Sequence, residues 1–126
     1  MMTREEAEAF AVRWTAAWNS GAAETVLAHF HPDVVFTSPT ALAVVGSATV
    51  RGKDALRAYW LAAMARGSGP RFTLDRVLWD PMSRELVVLY ASARDGQSRC
   101  VAEILKFDEA GWVMAGEVFH GVPGPS

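Results

Sequence analysis

The chain has 126 residues, 51% of them hydrophobic and 21% charged, which suits one domain (1–126) with a buried core and excludes a disordered chain or a collagen-like or coiled-coil rod. Twelve basic against fourteen acidic residues leave a net charge of −2, without the basic excess of a nucleic-acid binder. The lone cysteine, Cys100, excludes an internal disulfide and a multi-cysteine zinc site. No stretch reaches the roughly 18 apolar residues of a membrane span. The start, Met1 to Glu8, is polar and lacks the basic-then-apolar order of a secretory signal. No membrane partner and a cytoplasmic location are therefore expected.

The first element is an amphipathic helix. Thr3 and Glu6 have capping-box spacing, and Ala7, Phe10, Ala11, Trp14, Ala17 and Trp18 recur at helical intervals. Ser20-Gly21 ends it. A second, shorter helix is expected from Ala22 to about Phe30, stopped by His31-Pro32-Asp33. Val34 to Ser38 reads as a strand closed by Pro39. Residues 40–52 are apolar but broken by Gly46, so they read as a pocket-rim loop or a short strand. Gly52-Lys53-Asp54 opens a third helix with Leu56, Tyr59, Trp60, Ala63 and Met64 on its apolar stripe, ended by Gly67 to Pro70.

Beyond Pro70 the period changes from 3.6 to 2. Strands are expected at about 71–79, 85–94, 98–108 and 112–120, and Asp95-Gly96 is a hairpin signal. The tail from Gly121 to Ser126 reads as frayed. Helices followed by a strand meander give an α+β fold, helices on one face of an antiparallel sheet. In strand 98–108, Val101, Glu103 and Leu105 share one face and Cys100, Ala102 and Ile104 the other. In the last strand Met114, Val118 and His120 share one face, with Val113, Ala115 and Phe119 opposite. Two apolar faces need two covers. The helices supply one, and a homodimer through the outer sheet face is expected to supply the other.

The segments Ala28-His29-Phe30-His31-Pro32-Asp33-Val34-Val35-Phe36-Thr37-Ser38-Pro39, Arg51-Gly52-Lys53-Asp54-Ala55-Leu56-Arg57-Ala58-Tyr59-Trp60 and Lys106-Phe107-Asp108-Glu109-Ala110-Gly111-Trp112-Val113, with the element order around them, resemble the nuclear transport factor 2-like superfamily, in its SnoaL-like and ketosteroid isomerase-like branch. The resemblance implies a cystatin-like cone: a curved antiparallel sheet with three N-terminal helices packed on its concave face, enclosing a deep apolar cavity. Laid along ketosteroid isomerase, whose carboxylate base works with an oxyanion hole of a tyrosine and a protonated aspartate, the chain has Ser38 at the base position, Trp14 at the tyrosine and Glu103 at the protonated acid. Only the last keeps a carboxyl group, so steroid isomerisation by that route is not expected. Fold alone does not fix a function here.

Glu103 is the leading chemical candidate. A carboxyl on an apolar strand face must pair with a cation or keep its proton. Arg71, Arg76 and Arg99 are the salt-bridge alternatives. His120, on the face of Val118, is a second candidate acid or base. Glu117 and His120 have helical ligand spacing but fall on opposite faces of a strand, and His29-x-His31 reads as a solvated corner, so no metal is expected. The pocket wall is expected to comprise Trp14, Trp18, Phe36, Tyr59, Trp60, Val101 and Val118, with Ser38 as a polar group beside the two candidates. Tyr90 could meet the cavity or the dimer face, and Cys100 reads as a small apolar filler. No phosphate loop or dinucleotide fingerprint occurs, so no cofactor is expected. Two functions fit: cofactor-free proton chemistry on a small, mostly apolar organic ligand, of isomerase, cyclase, dehydratase or hydrolase type, or a non-catalytic ligand-binding or dimerisation module.

Overall fold

The computed structural model describes residues 2–65 and 70–123. Four helices and six strands follow in the order α1 (Arg4–Asn19), α2 (Ala23–Leu27), β1 (Phe30–Thr37), α3 (Pro39–Val45), β2 (Thr49–Arg51), α4 (Lys53–Met64), β3 (Arg71–Asp80), β4 (Glu85–Arg94), β5 (Gln97–Phe107) and β6 (Val113–Pro123). The strands form one sheet in the order β2-β1-β6-β5-β4-β3. Its pairs are antiparallel except β1 with β6, which run parallel.

Helix α1 starts where the capping box places it. Glu6 N–H donates to Thr3 Oγ1 at 3.1 Å and Thr3 N–H to Glu6 Oε1 at 3.0 Å, which satisfies two otherwise unpaired backbone donors. Ala7, Phe10, Ala11, Trp14 and Ala17 are buried, as the spacing requires. The Asp95-Gly96 turn also forms: φ is positive at both residues, 53° and 77°, as a tight hairpin between right-twisted strands demands.

Five local expectations are corrected. Helix α2 stops at Leu27 and β1 begins at Phe30. Pro32 is tolerated because it falls in a register irregularity between Phe30 and Val35, where no ladder hydrogen bond is asked of it. Residues 40–52 hold a helix as well as a strand, so four helices replace the expected three. Ser38 caps α3 by accepting from Thr40 N–H at 3.2 Å, Pro39 occupies its first turn, and Gly46 (φ 81°) ends it. In β6 a bulge against Lys106 and Phe107 reverses the phase at the start of the strand. Val113 is therefore buried and Met114 exposed, while Val118 and His120 keep the inward face. Gly121 to Pro123 continue β6 rather than fraying, and Pro123 lies opposite Arg99. The Gly67-Ser68-Gly69 helix stop and residues 124–126 of the tail lie outside the described residues. Cys100, the fifth correction, is exposed on the outer sheet face instead of filling a core.

The core lies between the inner sheet face and helices α1 and α4. Trp60, Phe30, Leu56, Leu86 and Leu105 are fully buried there. On the outer face Leu89, Ala102 and Phe119 form one cross-strand row, and Phe119 is 49% exposed.

Candidate functional site

The helices do not fill the sheet's concavity. An inner cavity of about 110 Å³ opens into an outer vestibule of about 540 Å³. Thr40, Ala63, Pro70, Ser92, Val101 and His120 line both, so the two are continuous.

Alternation along β1 turns Val34, Phe36 and Ser38 inward, and all three are buried. The 3.6-residue stripe of α4 brings Tyr59 and Trp60 to the same wall, where the Phe36 and Trp60 rings meet edge to face at 5.7 Å. Trp18, Phe36, Ser38, Tyr59, Trp60 and Glu103 line the inner cavity, joined from the sheet by Val101, Val118 and His120. Trp14 does not line it. It stands one layer behind, stacked on Phe72 and edge-on to Tyr90, both of which do line it.

Glu103 sits on the inner face of β5, opposite Val88 on one side and Val118 on the other. It is 3% exposed. Arg71, Arg76 and Arg99 do not pair with it: Arg76 binds Asp75, and Arg99 approaches His120. Its partner is Tyr90, whose hydroxyl donates to Oε1 at 3.1 Å. Burial pushes the Glu103 carboxyl up to about 8, against a smaller opposing pull from the Tyr90 hydrogen bond. It is therefore neutral at pH 7. With Oε1 accepting from Tyr90, the proton belongs on Oε2, which has no partner among the described residues. The result is an O–H donor in an apolar hollow with no acceptor among the described residues. Trp18 Nε1, on the same cavity, is a second buried donor without a partner among the described residues. Trp14 Nε1 is a third such donor, away from the wall.

Ser38 is committed elsewhere. Besides capping α3, its Oγ lies 3.4 Å from the Tyr59 hydroxyl. Burial foremost raises the Tyr59 phenol, with the nearby Glu103 adding to it, so Tyr59 stays a neutral hydroxyl. Tyr90, buried beside the Glu103 carboxyl, is held well above the usual phenol range by burial first and that carboxyl second.

His120 stands where cavity and vestibule join, half-buried, with Nδ1 3.0 Å from Arg99 Nη1. A guanidinium only donates, so Nδ1 is the acceptor and the neutral ring carries its proton on Nε2. Burial and then the Arg99 charge lower its pKa. This tautomer makes His120 a hydrogen-bond donor at the rim rather than a base. Glu117 is exposed on the opposite face. His29 is exposed with its ring against Phe10, and His31 Nδ1 accepts from Asp33 N–H. Among the described residues no three His, Cys, Asp or Glu side chains gather closely enough to hold a metal ion, and no helix is long and apolar enough to cross a membrane.

Tyr90 is the functional residue that sequence reasoning left undecided. Both faces of β4 are apolar, so alternation could not orient it. The signal was its register: Tyr90 faces Val101, which sets it diagonal to Glu103 across one inter-strand gap.

Known proteins share this arrangement of elements. Among solved structures, a SnoaL-like protein of unknown function from Burkholderia thailandensis is 23% identical, with a TM-score of 0.85 over 95% of this chain and 98% of its own. A protein of unknown function with a cystatin-like fold from Methylobium petroleophilum is 20% identical (TM-score 0.76, 98% of this chain, 81% of that one). A proposed ketosteroid isomerase from Kribbella flavida is 18% identical (TM-score 0.74, 98% of this chain, 85% of that one). At these identities the likeness is one of fold. A search of curated proteins gave no match. The model of the SnoaL-like domain matches residues 11–113, a span that holds α1 from Ala11 onward, the cavity wall as far as β5, and Glu103. On that match the chain belongs to the SnoaL-like domain family, and its fold is the cystatin-like, nuclear transport factor 2-like one.

Proposed function

We propose that the inner cavity binds a small, mostly apolar molecule through one oxygen atom, and that Glu103 polarises that oxygen or passes it a proton. The observation that carries this is the Oε2 of a buried, neutral Glu103 on a cavity wall, left without a partner among the described residues. A buried donor without an acceptor costs about 1–3 kcal/mol, and a ligand oxygen would recover it. Trp18 Nε1–H offers a second donor to the same kind of atom. A carbonyl held by such donors in a dry site gains electrophilic character, as at an oxyanion hole. Cofactor-free proton chemistry of isomerase, cyclase, dehydratase or hydrolase type follows from that polarisation.

The second reading is a non-catalytic binding module. It is favoured by Ser38, which has no carboxylate and already caps α3 and meets Tyr59.

A small enone separates the two. Cyclohex-2-enone titrated into the protein is expected to shift the Trp18 indole N–H resonance, whereas cyclohexene is not. In D2O, with Glu103 donating to the carbonyl oxygen and solvent water taking the carbon-bound proton, the protein is expected to speed deuterium exchange beside the carbonyl by about 10²-fold, in the range of general acid catalysis, and Glu103→Gln to abolish the gain. Binding with no exchange establishes the binding module. No shift of the indole signal overturns both readings.

We also propose that a second copy of the chain covers the outer sheet face along the Leu89, Ala102 and Phe119 row, a self-complementary strip suited to a two-fold interface. A monomer mass in solution at micromolar concentration counts against it.

A further inference from the structure

We propose that the ligand is an elongated carboxylate, bound with its oxygen-bearing end at Glu103 and its carboxylate at Arg99 on the rim. This rests on the reading of the inner cavity given above. One face of β5 presents Arg99, Val101, Glu103 and Leu105, in unbroken register with β4 though β6 shifts between Arg99 and Val101, with a cation at the mouth, an apolar step and an acid at depth. At about 3.3 Å per residue the Cα atoms of Arg99 and Glu103 stand about 13 Å apart. That separation sets the length scale of the ligand.

Three features make the mouth a receptor for an anion. Arg99 is exposed and belongs to no ion pair among the described residues. Arg57 shows the contrast: its guanidinium is spent on Glu24 at 2.7 Å and Asp54 at 2.8 Å. The contact Arg99 does make is with a neutral acceptor, His120 Nδ1. That hydrogen bond fixes the guanidinium at the junction of vestibule and cavity without neutralising it, and it leaves other N–H groups of the fork for a ligand. Finally, Arg99 itself stands on the vestibule wall. Its planar guanidinium can hold a singly charged carboxylate through two parallel hydrogen bonds.

The shape of the hollow agrees with that polarity. Trp60, Phe36 and Val118 wall the inner part and Val101 the neck. The proposed ligand puts its oxygen-bearing ring in the inner part, runs a short chain past Val101 and His120, and brings its charged head out beside Arg99.

The probe is 4-(4-hydroxyphenyl)butanoate, compared with its methyl ester by isothermal titration. The acid is expected to bind about tenfold more tightly than the ester, the scale of one charge-assisted hydrogen-bonded contact. In Arg99→Gln, a change at an exposed position, most of that tenfold advantage is expected to vanish. Equal affinity for acid and ester in the unaltered protein overturns the inference and leaves the cavity reading standing. So does an advantage that survives Arg99→Gln. Binding of neither compound overturns both.

Discussion

Replacing Glu103 by Gln is expected to stabilise the protein at pH 8 and to leave its stability at pH 4 nearly unchanged. In the unfolded chain this carboxyl titrates near its ordinary value of 4.5, and in the fold near 8. Between those values the folded state keeps a proton that the unfolded state has lost. Rising pH therefore draws the equilibrium towards unfolding. The stabilisation is complete below 4.5, declines through the window and is gone once pH passes 8. A shift of this size corresponds to something on the order of 5 kcal/mol across the window. Gln has the same shape, accepts from Tyr90 through its own Oε1 and cannot ionise, so it removes the decline. The carboxylates held low by hydrogen bonds or by Arg57, namely Glu6, Glu24 and Asp80, act at lower pH and are common to both proteins. Urea midpoints measured from pH 4 to 8.5 test this: the two curves should start together and diverge, with the variant above. Parallel curves would show that Glu103 is not held neutral by the fold.

The second large effect is expected at Gly116. This residue lies beside Phe36 in the parallel β1–β6 pair, and a Cβ there would stand 2.7 Å from Phe36 Cδ1 and 2.9 Å from Cε1. The glycine is needed for close approach. Alanine in a strand restricts the unfolded chain and should gain about 0.5–1 kcal/mol on that account. Overpacking costs more, about 1–3 kcal/mol, so Gly116→Ala is expected to be destabilised by about 1–2 kcal/mol on balance. The Phe36 ring is packed against Trp60 and faces Tyr59, and the space left to it is the cavity it lines. The same substitution should therefore weaken cyclohex-2-enone binding by a factor of ten or more. Thermal unfolding together with the enone titration checks both parts. Full binding at lowered stability would mean that Phe36 yields in another direction.

How far the sequence discloses this site depends on what periodicity encodes. It encodes faces: the inward side of α1, the Tyr59 and Trp60 stripe of α4, and the Val101, Glu103, Leu105 row of β5 were all legible because 3.6 and 2 are strong signals on amphipathic elements. It does not encode depth along an element. Trp14 and Trp18 share one helical stripe, yet only Trp18 reaches the cavity, because the Phe72 and Tyr90 rings stand in front of Trp14. Nor does it encode bulges, which is why Met114 exchanges faces with Val113. Helix α3 was hidden by residues read as breakers. Ser38-Pro39 and Gly46 close a strand or a loop in one context and bound a short helix in another. The pairing of Tyr90 with Glu103 depends on strand register, a long-range property that two apolar faces of β4 leave unspecified.

The role of Trp18 and the rim chemistry of Arg99 both depend on whether the acid at depth is neutral and reachable. Selective 13C labelling of glutamate side chains, with Glu103→Gln to assign the signal, follows its carboxyl through a pH titration. A midpoint near 8, moving upward when cyclohex-2-enone occupies the cavity, is the predicted result. A midpoint near 4.5, or one indifferent to the enone, would contradict it.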